Sequence, residues 1–493
     1  MKSSVLAYLL ASFGITVLAC SETIDTARDT DRPVADAGPD GADDASPQDA
    51  GKAVPTSCSD PITPVSCPSL EPAPTAPAAV RAFVEEGAIP LRCGEDEAAV
   101  WDVRPLVDLY GSQKIFMMGE VHGTNEIGIL SSILLEQLAK KRQVNVLAIE
   151  LPMDMTETLA SWISTGEGGT VVDWLEDLAP NMFRRILPET ARELVKVGFP
   201  IRFEAVDFAY DAELPIKAIR EIATKLATQA DAVLTTLPST PVAPNDANIY
   251  FDHVMSSKDA ICAELTEADC DRLNAMTHAL WVSAFLDGDM DELWFSRREE
   301  VIYYNMKQAM RSPSDRMFLH MGSWHTNKHE FSAGSRMTHE YELTKNKVFS
   351  VAPAFGDGSV IWYQGRQNLR GAPSTLTAAL SDAPANPLFI STTRPSSTCV
   401  TNPFGLEPEM EASSGTRAET YDGYIHYGKL TSEKNPEQTT FVRDLPITGE
   451  TTSRRSIPSL GSTFGHFRDL SARVEAKERA ALAARAARYA RTR

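Results

Sequence analysis

Residues 114–150 read KIFMMGEVHGTNEIGILSSILLEQLAKKRQVNVLAIE, and this stretch decides the fold. KIFMMGE is a short apolar run, EIGILSSILLEQLAKKR has apolar residues at helical spacing, and VNVLAIE is a second apolar run. The pattern predicts a strand, a helix and a second strand, which is the repeating unit of parallel sheets.

The same alternation continues along the chain. Further strands are predicted at PIRFEAVDF (200–208), DRMFLHMGSWH (315–325), KVFSVAPAF (347–355), VIWYQ (360–364) and DGYIHYGKL (422–430). Helices are predicted at 153–164, 171–178 and 188–198, as one long helix at 211–237, and throughout 260–312. We therefore predict an α/β fold, a mainly parallel sheet flanked by helices, with a long helical insertion at about 210–312.

The first residues have the pattern of a leader. Lys2 precedes the apolar run VLAYLLASFGITVL, which is too short for a membrane-spanning helix and ends in Val17-Leu18-Ala19-Cys20. These four residues resemble the bacterial lipobox, so we predict a signal peptide at 1–20 and lipidation of Cys20. An ordinary secretory signal with an incidental cysteine is the alternative. Ser21 favours the outer membrane by analogy, so the expected location is the cell envelope of a Gram-negative bacterium, with the membrane reached through the lipid anchor.

Changes in composition divide the rest of the chain into a tether, a domain and a tail. Residues 21–57 hold nine acidic and three basic residues, and a Pro/Ala-rich stretch extends this segment to about residue 80, so 21–80 is predicted to be a disordered tether. Residues 81–450 form the predicted α/β domain, and 451–493 a basic, Ala-rich helical tail. The formal charge of −20 and the lack of a basic stripe in the body argue against a nucleic-acid partner.

Six cysteines follow Cys20, in a compartment that permits disulfides. Cys58 with Cys67 and Cys262 with Cys270 are the locally plausible pairs. Cys262 and Cys270 stand eight residues apart, about 12 Å along a continuous helix, which is beyond disulfide reach. A bridge between them needs a turn, and free thiols would indicate an unbroken helix.

Polar residues stand where the predicted strands end. They are Glu120, His122, Glu150, Asp207 and His325. Ligands of open α/β sheets bind at the carboxyl ends of the strands, so this edge is the candidate site. Each residue alone also fits a helix N-cap or a loop carboxylate. His320 is left outside the set, because alternation along one strand would place it on the face opposite His325.

Several short motifs carry a family resemblance. Gly119-Glu120-Val121-His122 resembles the G-E-x-H strand end of the ChaN-like haem-uptake and Tiki superfamily, and Gly123-Thr124-Asn125-Glu126 extends it as in the erythromycin esterase family. That family usually has two residues between Glu and His, where this chain has one. Gly322-Ser323-Trp324-His325 is similar to the second G-x-x-H of the superfamily, with Gly322 where the esterases have a histidine. Arg298-Glu299 and Asn305 resemble an esterase helix motif, and TYDGYIHYGKL resembles the esterases' terminal strand.

The resemblance implies an ester or lactone hydrolase acting on a small molecule. In this interpretation His122 is the general base for water, Glu120, Glu150 and His325 surround it, and Arg298 closes the cleft. A histidine beside a carboxylate suits that role, because its pKa lies near working pH. A supporting set comprises Glu126, Asp207 and Asn305, with Asn305 holding its helix.

Two alternatives remain open at this stage. Glu120, His122 and His325 also suit a divalent metal, as in a metal-dependent hydrolase or protease of the Tiki type. A ChaN-like haem-binding lipoprotein for iron uptake is the alternative outside enzymes. The sequence leaves the substrate open, together with any need for a metal.

Overall fold

A computed structural model describes residues 88–93, 100–169, 172, 185–286, 292–329, 331–362, 365–370, 376, 380, 387–392, 417–428 and 430. The signal peptide and Cys20, the tether at 21–80, the pair Cys58–Cys67 and the tail at 451–493 lie outside the described residues, as does most of the helix predicted at 171–178. Among the described residues, none of the helices has the length and apolar character needed to cross a membrane.

Seven of the twelve strands among the described residues fall where the apolar runs predicted them, and the other five have no predicted counterpart. They are β1 Ile89–Pro90, β2 Arg92–Cys93, β3 Val100–Trp101, β4 Ile115–Glu120, β5 Val146–Pro152, β6 Arg202–Asp207, β7 Met317–Gly322, β8 Val348–Ala354, β9 Asp357–Trp362, β10 Gly365–Arg370, β11 Leu388–Ser391 and β12 Gly423–His426.

The helices of the described residues lie between strands along the chain, and six of them follow one another between β6 and β7. They are α1 Arg104–Tyr110, α2 Asn125–Lys140, α3 Thr156–Thr165, α4 Ile186–Lys196, α5 Glu213–Ala223, α6 Ala230–Leu234, α7 Pro244–Ser256, α8 Lys258–Cys262, α9 Glu267–Ala284, α10 Glu292–Ala309, α11 Ala333–His339 and α12 Arg417–Thr420. Two 3-10 turns, Met153–Met155 and Ser323–Thr326, follow β5 and β7.

The main sheet has eight strands in the order β1-β11-β12-β8-β4-β7-β5-β6. The six strands from β12 to β6 are parallel, and β1 and β11 add an antiparallel edge. The α/β prediction is therefore confirmed.

The central strands are buried on both faces, as parallel strands between helical layers usually are. Ile115 and Met117 of β4 point into the apolar cluster shared with the helices after β6. Phe116 and Met118 point into the opposite cluster, which holds the apolar side of α2. The chain thus covers one face of the sheet with α5–α10 and the other with helices that include α2 and α4.

The long helix predicted at 211–237 is wrong, because the chain breaks between α5 and α6. The carboxylate of Glu264 accepts hydrogen bonds from the backbone N–H groups of Ala227 and Thr228, at 2.8 and 3.0 Å. Because these amides donate to a side chain and not to backbone carbonyl groups of a preceding helical turn, the helix does not continue through them.

The continuous helix predicted at 260–312 is also wrong. A turn separates α8 from α9, and Thr266 caps α9 by accepting a hydrogen bond from the backbone N–H of Asp269. The turn brings Cys262 and Cys270 into a disulfide with a Cα–Cα distance of 5.2 Å. Of the two alternatives left by the sequence, the structure therefore contains the bridge, with the turn that it requires.

Candidate active site

Four neighbouring strands deliver polar groups to one edge of the sheet. In the order β4, β7, β5, β6, their carboxyl ends carry Glu120, Gly322, Glu150 and Asp207. Because adjacent parallel strands end at the same edge, residues far apart in sequence meet there, where ligands of open α/β sheets bind.

His122 lies just past the end of β4 and faces two carboxylates. Its Nδ1 is 2.9 Å from Oε1 of Glu120, and its Nε2 is 3.8 Å from Oε2 of Glu150. The imidazole is 22% exposed, whereas the two carboxylate side chains are 1% and 2% exposed. Solvent therefore reaches this cluster at His122.

Gly119 allows this strand end to approach its neighbours closely. A Cβ at this position would lie 2.9 Å from the carbonyl oxygen of Val351, a distance that real Cβ atoms essentially never show, and 3.1 Å from Cα of Ser323, which is tighter than most Cβ contacts. The glycine before Glu120 thus lets β4 pack against β8 and against the turn that carries His325.

His325 is buried between two carboxylates. Its Nε2 lies 3.2 Å from Oε1 of Glu150, and its Nδ1 contacts Oε1 of Glu299. The second oxygen of Glu299 accepts a hydrogen bond of 2.7 Å from the backbone N–H of Ala333. Burial alone would lower the pKa of His325, but Glu299 and Glu150 outweigh it and raise the pKa to about 10. The side chain is therefore an imidazolium at neutral pH.

Arg298 extends from α10 to two strand ends. Its Nη2 is 2.5 Å from Oε1 of Glu150, and it binds Asp207 through Nε at 2.9 Å and Nη2 at 2.7 Å. Burial would lower its pKa, but the charges of Asp207 and Glu150 hold the pKa well above its usual range. Conversely, burial would raise the pKa of Glu150, but His325, His122 and Arg298 hold it well below its usual range, so Glu150 is ionised.

Two of the predicted supporting residues lie on helices that flank the sheet, Asn305 on α10 and Glu126 on α2. The side-chain amide of Asn305 donates to the carbonyl oxygens of Val206 and Asp207, at 3.0 and 3.3 Å, and so ties α10 to the end of β6. Glu126 lies half-buried in the first turn of α2. Burial raises the pKa of the Tyr427 hydroxyl, and the negative charge of Glu126 raises that pKa further.

The structure thus brings Glu120, His122, Glu150, Asp207, Arg298 and His325 together, and it adds residues that sequence reasoning missed. His320 is fully buried, with Nε2 3.6 Å from Oε2 of Glu120. The alternation that places His320 opposite His325 requires one strand from 315 to 325, whereas β7 ends at Gly322 and His325 lies on the following 3-10 turn. Glu299 follows Arg298 in the helix motif. The sequence alone does not show its contact with His325, because that contact depends on how α10 packs.

The cluster also contains a plausible metal-ligand set. Within the described part of the chain, one ligand atom each of Glu120, His122 and Glu150 lies within 4.8 Å of the others. This set differs from the one predicted, because Glu150 takes the place of His325, whose two ring nitrogens contact Glu299 and Glu150. One imidazole nitrogen and two carboxylates are acceptable donors for a divalent transition metal, so the residues fit such an ion.

Solved structures of other proteins share this fold. No protein-family model matches the chain, and no curated protein matches it in sequence. A Bacillus cereus protein of known structure superposes with a TM-score of 0.53 at 13% identity, over 73% of this chain and 99% of its own.

Two further structures agree with this comparison. A His-to-Asn variant of the erythromycin esterase EreC in its open conformation gives a TM-score of 0.52 at 13% identity, over 68% of this chain and 96% of its own. A succinoglycan biosynthesis protein gives 0.52 at 13% identity, over 73% and 99%. The chain has the fold of these proteins. The similarity expected from the strand-end motifs is thereby confirmed for the fold.

Proposed function

We propose that this protein is a hydrolase that cleaves a carboxylic ester or a lactone, with His122 as the general base. The observation that carries the proposal is the position of His122, a partly exposed imidazole whose Nδ1 is held by Glu120 while Nε2 faces Glu150. The fold shared with an erythromycin esterase supports the same reaction class.

The contact with Glu120 favours one tautomer of His122. If Nδ1 carries the proton and donates a hydrogen bond to the carboxylate, Nε2 has a lone pair and can accept a proton from water. The water oxygen then attacks the acyl carbon and forms a C–O bond. As the acyl–oxygen bond breaks, the proton on Nε2 passes to the leaving alkoxide, and the products are an acid and an alcohol.

Glu150 has a different role from Glu120 in this scheme. Three groups stabilise the ionised form of Glu150. Arg298 and His325 contact its Oε1, and the backbone N–H of Gly322 donates a hydrogen bond of 2.7 Å to its Oε2. A fixed carboxylate facing Nε2 of His122 orients the attacking water and stabilises the imidazolium that forms. Arg298 is therefore a positioning residue, because its guanidinium is already bound to two carboxylates.

A metal-assisted version of the same hydrolysis is the second candidate, favoured by the charge of the cluster. Glu120, Glu150, Asp207 and Glu299 are opposed by two cations, Arg298 and His325, which leaves a formal charge of −2 when all four carboxylates are ionised and the rings of His122 and His320 are neutral. Buried charge of one sign is costly, and a divalent cation would neutralise it. Glu120, His122 and Glu150 would hold the ion, which would supply Lewis-acid activation of water.

One experiment tests whether the protein is a hydrolase and distinguishes the metal-free mechanism from the metal-assisted mechanism. The purified full-length protein is assayed with chromogenic acyl esters and with lactones, and its metal content is measured by mass spectrometry. Hydrolysis that survives chelation supports the metal-free scheme. Hydrolysis that is lost on chelation and restored by a divalent ion supports the metal-assisted scheme. An absence of hydrolysis, together with a Soret band on adding haem, would favour the haem-binding alternative instead.

We also propose that the protein is anchored through lipidated Cys20. The support is the leader-like run and the lipobox resemblance of residues 17–20. A Cys20→Ser variant should then leave the membrane fraction or remain uncleaved. Fractionation like that of the wild type would contradict the anchor.

A further inference from the structure

His320 is an imidazole in an apolar position. It lies in the middle of the sheet on β7, with Met118 of β4 and Ile149 of β5 as its register partners on either side. All three residues are at most 1% exposed. Placing a polar ring there costs free energy unless a polar group compensates for the lost water.

The sheet register supplies that polar group. β4 and β7 run parallel, with Met118 opposite His320 and Glu120 opposite Gly322. Because side chains alternate along a strand, all four positions belong to one face of the sheet. Gly322 has no side chain, so the carboxylate of Glu120 meets no opposing group and reaches diagonally towards His320.

Glu120 consequently lies between two imidazoles. Its Oε2 is 3.6 Å from Nε2 of His320, and its Oε1 is 2.9 Å from Nδ1 of His122. One ring is fully buried behind the carboxylate, and the other is partly exposed in front of it. Each oxygen of Glu120 thus faces a different ring, and the separation of 3.6 Å from His320 is an electrostatic contact longer than a hydrogen bond.

We propose that His320 is a positioning residue that acts on His122 through Glu120. By attracting Oε2, His320 keeps Oε1 on Nδ1 of His122, so Nε2 of His122 stays deprotonated and directed at the reacting water. This inference rests on the proposed hydrolase activity. It adds His320 to the pair formed by His122 and Glu120. A merely structural His320 would affect stability and leave the tautomer of His122 unchanged.

A double-mutant cycle tests the dependence on Glu120. We expect His320→Phe to lower kcat roughly 10-fold with KM unchanged, the scale of losses seen when the partner of a functional ligand is removed. In a Glu120→Gln background the same substitution should cause no further loss, because residues that act as one unit are non-additive. His320→Gln, which keeps a donor near the position of Nε2, should retain more activity than His320→Phe. Met118→Leu, on the same face of the neighbouring strand, is the matched control and should keep wild-type kcat.

A spectroscopic measurement tests the proposal without an activity assay. In ¹⁵N-histidine-labelled protein, the wild-type signals of His122, assigned with a His122→Gln variant, should show Nδ1 protonated and Nε2 deprotonated. In His320→Phe, or in His320→Gln if the first variant does not fold, they should move towards a mixture of tautomers. Unchanged signals in a folded variant, or fully additive losses in the cycle, would overturn the proposal. If the wild type hydrolyses no ester, the proposed function fails, while the tautomer measurement still tests His320.

Discussion

Arg298 and Glu150 stand 148 residues apart in the chain, yet Nη2 of Arg298 lies 2.5 Å from Oε1 of Glu150. The contact joins α10, the last helix of the insertion, to β5, the strand next to the β6 edge of the sheet. The insertion is therefore part of the candidate site, because α10 supplies both Arg298, which binds Glu150 directly, and Glu299, which reaches Glu150 through His325.

Replacing Arg298 should destabilise the whole domain. Arg298→Met would leave the buried carboxylate of Asp207 without its cation and would leave Glu150 paired with His325. Removing one partner of a buried ion pair typically costs about 3–5 kcal/mol. Denaturant unfolding measures the loss. Arg311→Met is the matched control, because Arg311 is 62% exposed and its pair with Glu204 is of the surface type, worth less than about 1 kcal/mol. Equal losses for the two variants would show that the Arg298 contacts do not support the fold.

Stability should fall with rising pH because of His325. Its folded-state pKa of about 10 lies above the usual value of roughly 6.5 expected in the unfolded chain. The folded state therefore binds the proton more tightly, and this contribution is complete below about pH 6.5 and is lost as the pH rises to about 10. We expect the free energy of unfolding to decline over that window in the wild type. The decline should be shallower in His325→Gln, and parallel slopes in the two proteins would contradict a charged His325.

A single methyl group should block the reaction at Gly322. A Cβ there would lie 3.3 Å from Oε2 of Glu150 and 3.6 Å from Nε2 of His122, the two groups that hold the attacking water in the proposed mechanism. Gly322→Ala should lower kcat/KM by roughly 100-fold, the lower end of the loss expected when general-base catalysis fails. The melting temperature should change little. Gly356→Ala is the matched control, because its Cβ would make one ordinary contact of 3.5 Å. Wild-type activity in Gly322→Ala would place the reaction elsewhere.

The disulfide in the insertion should stabilise the hairpin of α8 and α9. Closing a loop with a sequence separation of eight residues contributes about 2–3 kcal/mol in the chain-entropy model. Cys262→Ser together with Cys270→Ser should lower stability by up to this amount and leave catalysis unchanged, since the bridge lies in the first turn of α9 and away from the strand ends. Mass spectrometry without reduction checks the bond itself, and free thiols at both positions would contradict it.

The sequence predicted the strand ends well because each central strand is a continuous apolar run that stops at a polar residue. Glu120 ends β4, Asp207 ends β6, and Glu150 comes two residues before the end of β5. Their meeting follows from the strand order, in which β7 lies between β4 and β5, and that order depends on long-range pairing that local periodicity does not encode.

The residues that were missed depend on tertiary packing. Glu299 reaches His325 only because α10 packs over the strand ends, and one helix sequence does not show which side faces the sheet. His320 was missed because the chain leaves the strand at Gly322, three residues earlier than the apolar pattern indicated. In the insertion, the side chain of Glu264 breaks a stretch of high helical propensity from a distant position.

The rate of ester hydrolysis by His122→Ala tests the central claim most directly, measured beside the wild type and the control His339→Ala, whose ring is exposed on α11. If His122 is the general base, its loss should lower kcat by about 10² to 10⁴ with an unchanged melting temperature. Glu120→Gln should cost comparably, and His325→Ala should not add fully to His122→Ala. His339→Ala should behave as the wild type. A His122→Ala protein that retains full activity and melts at a lower temperature would show that His122 only supports the fold, and it would contradict the account.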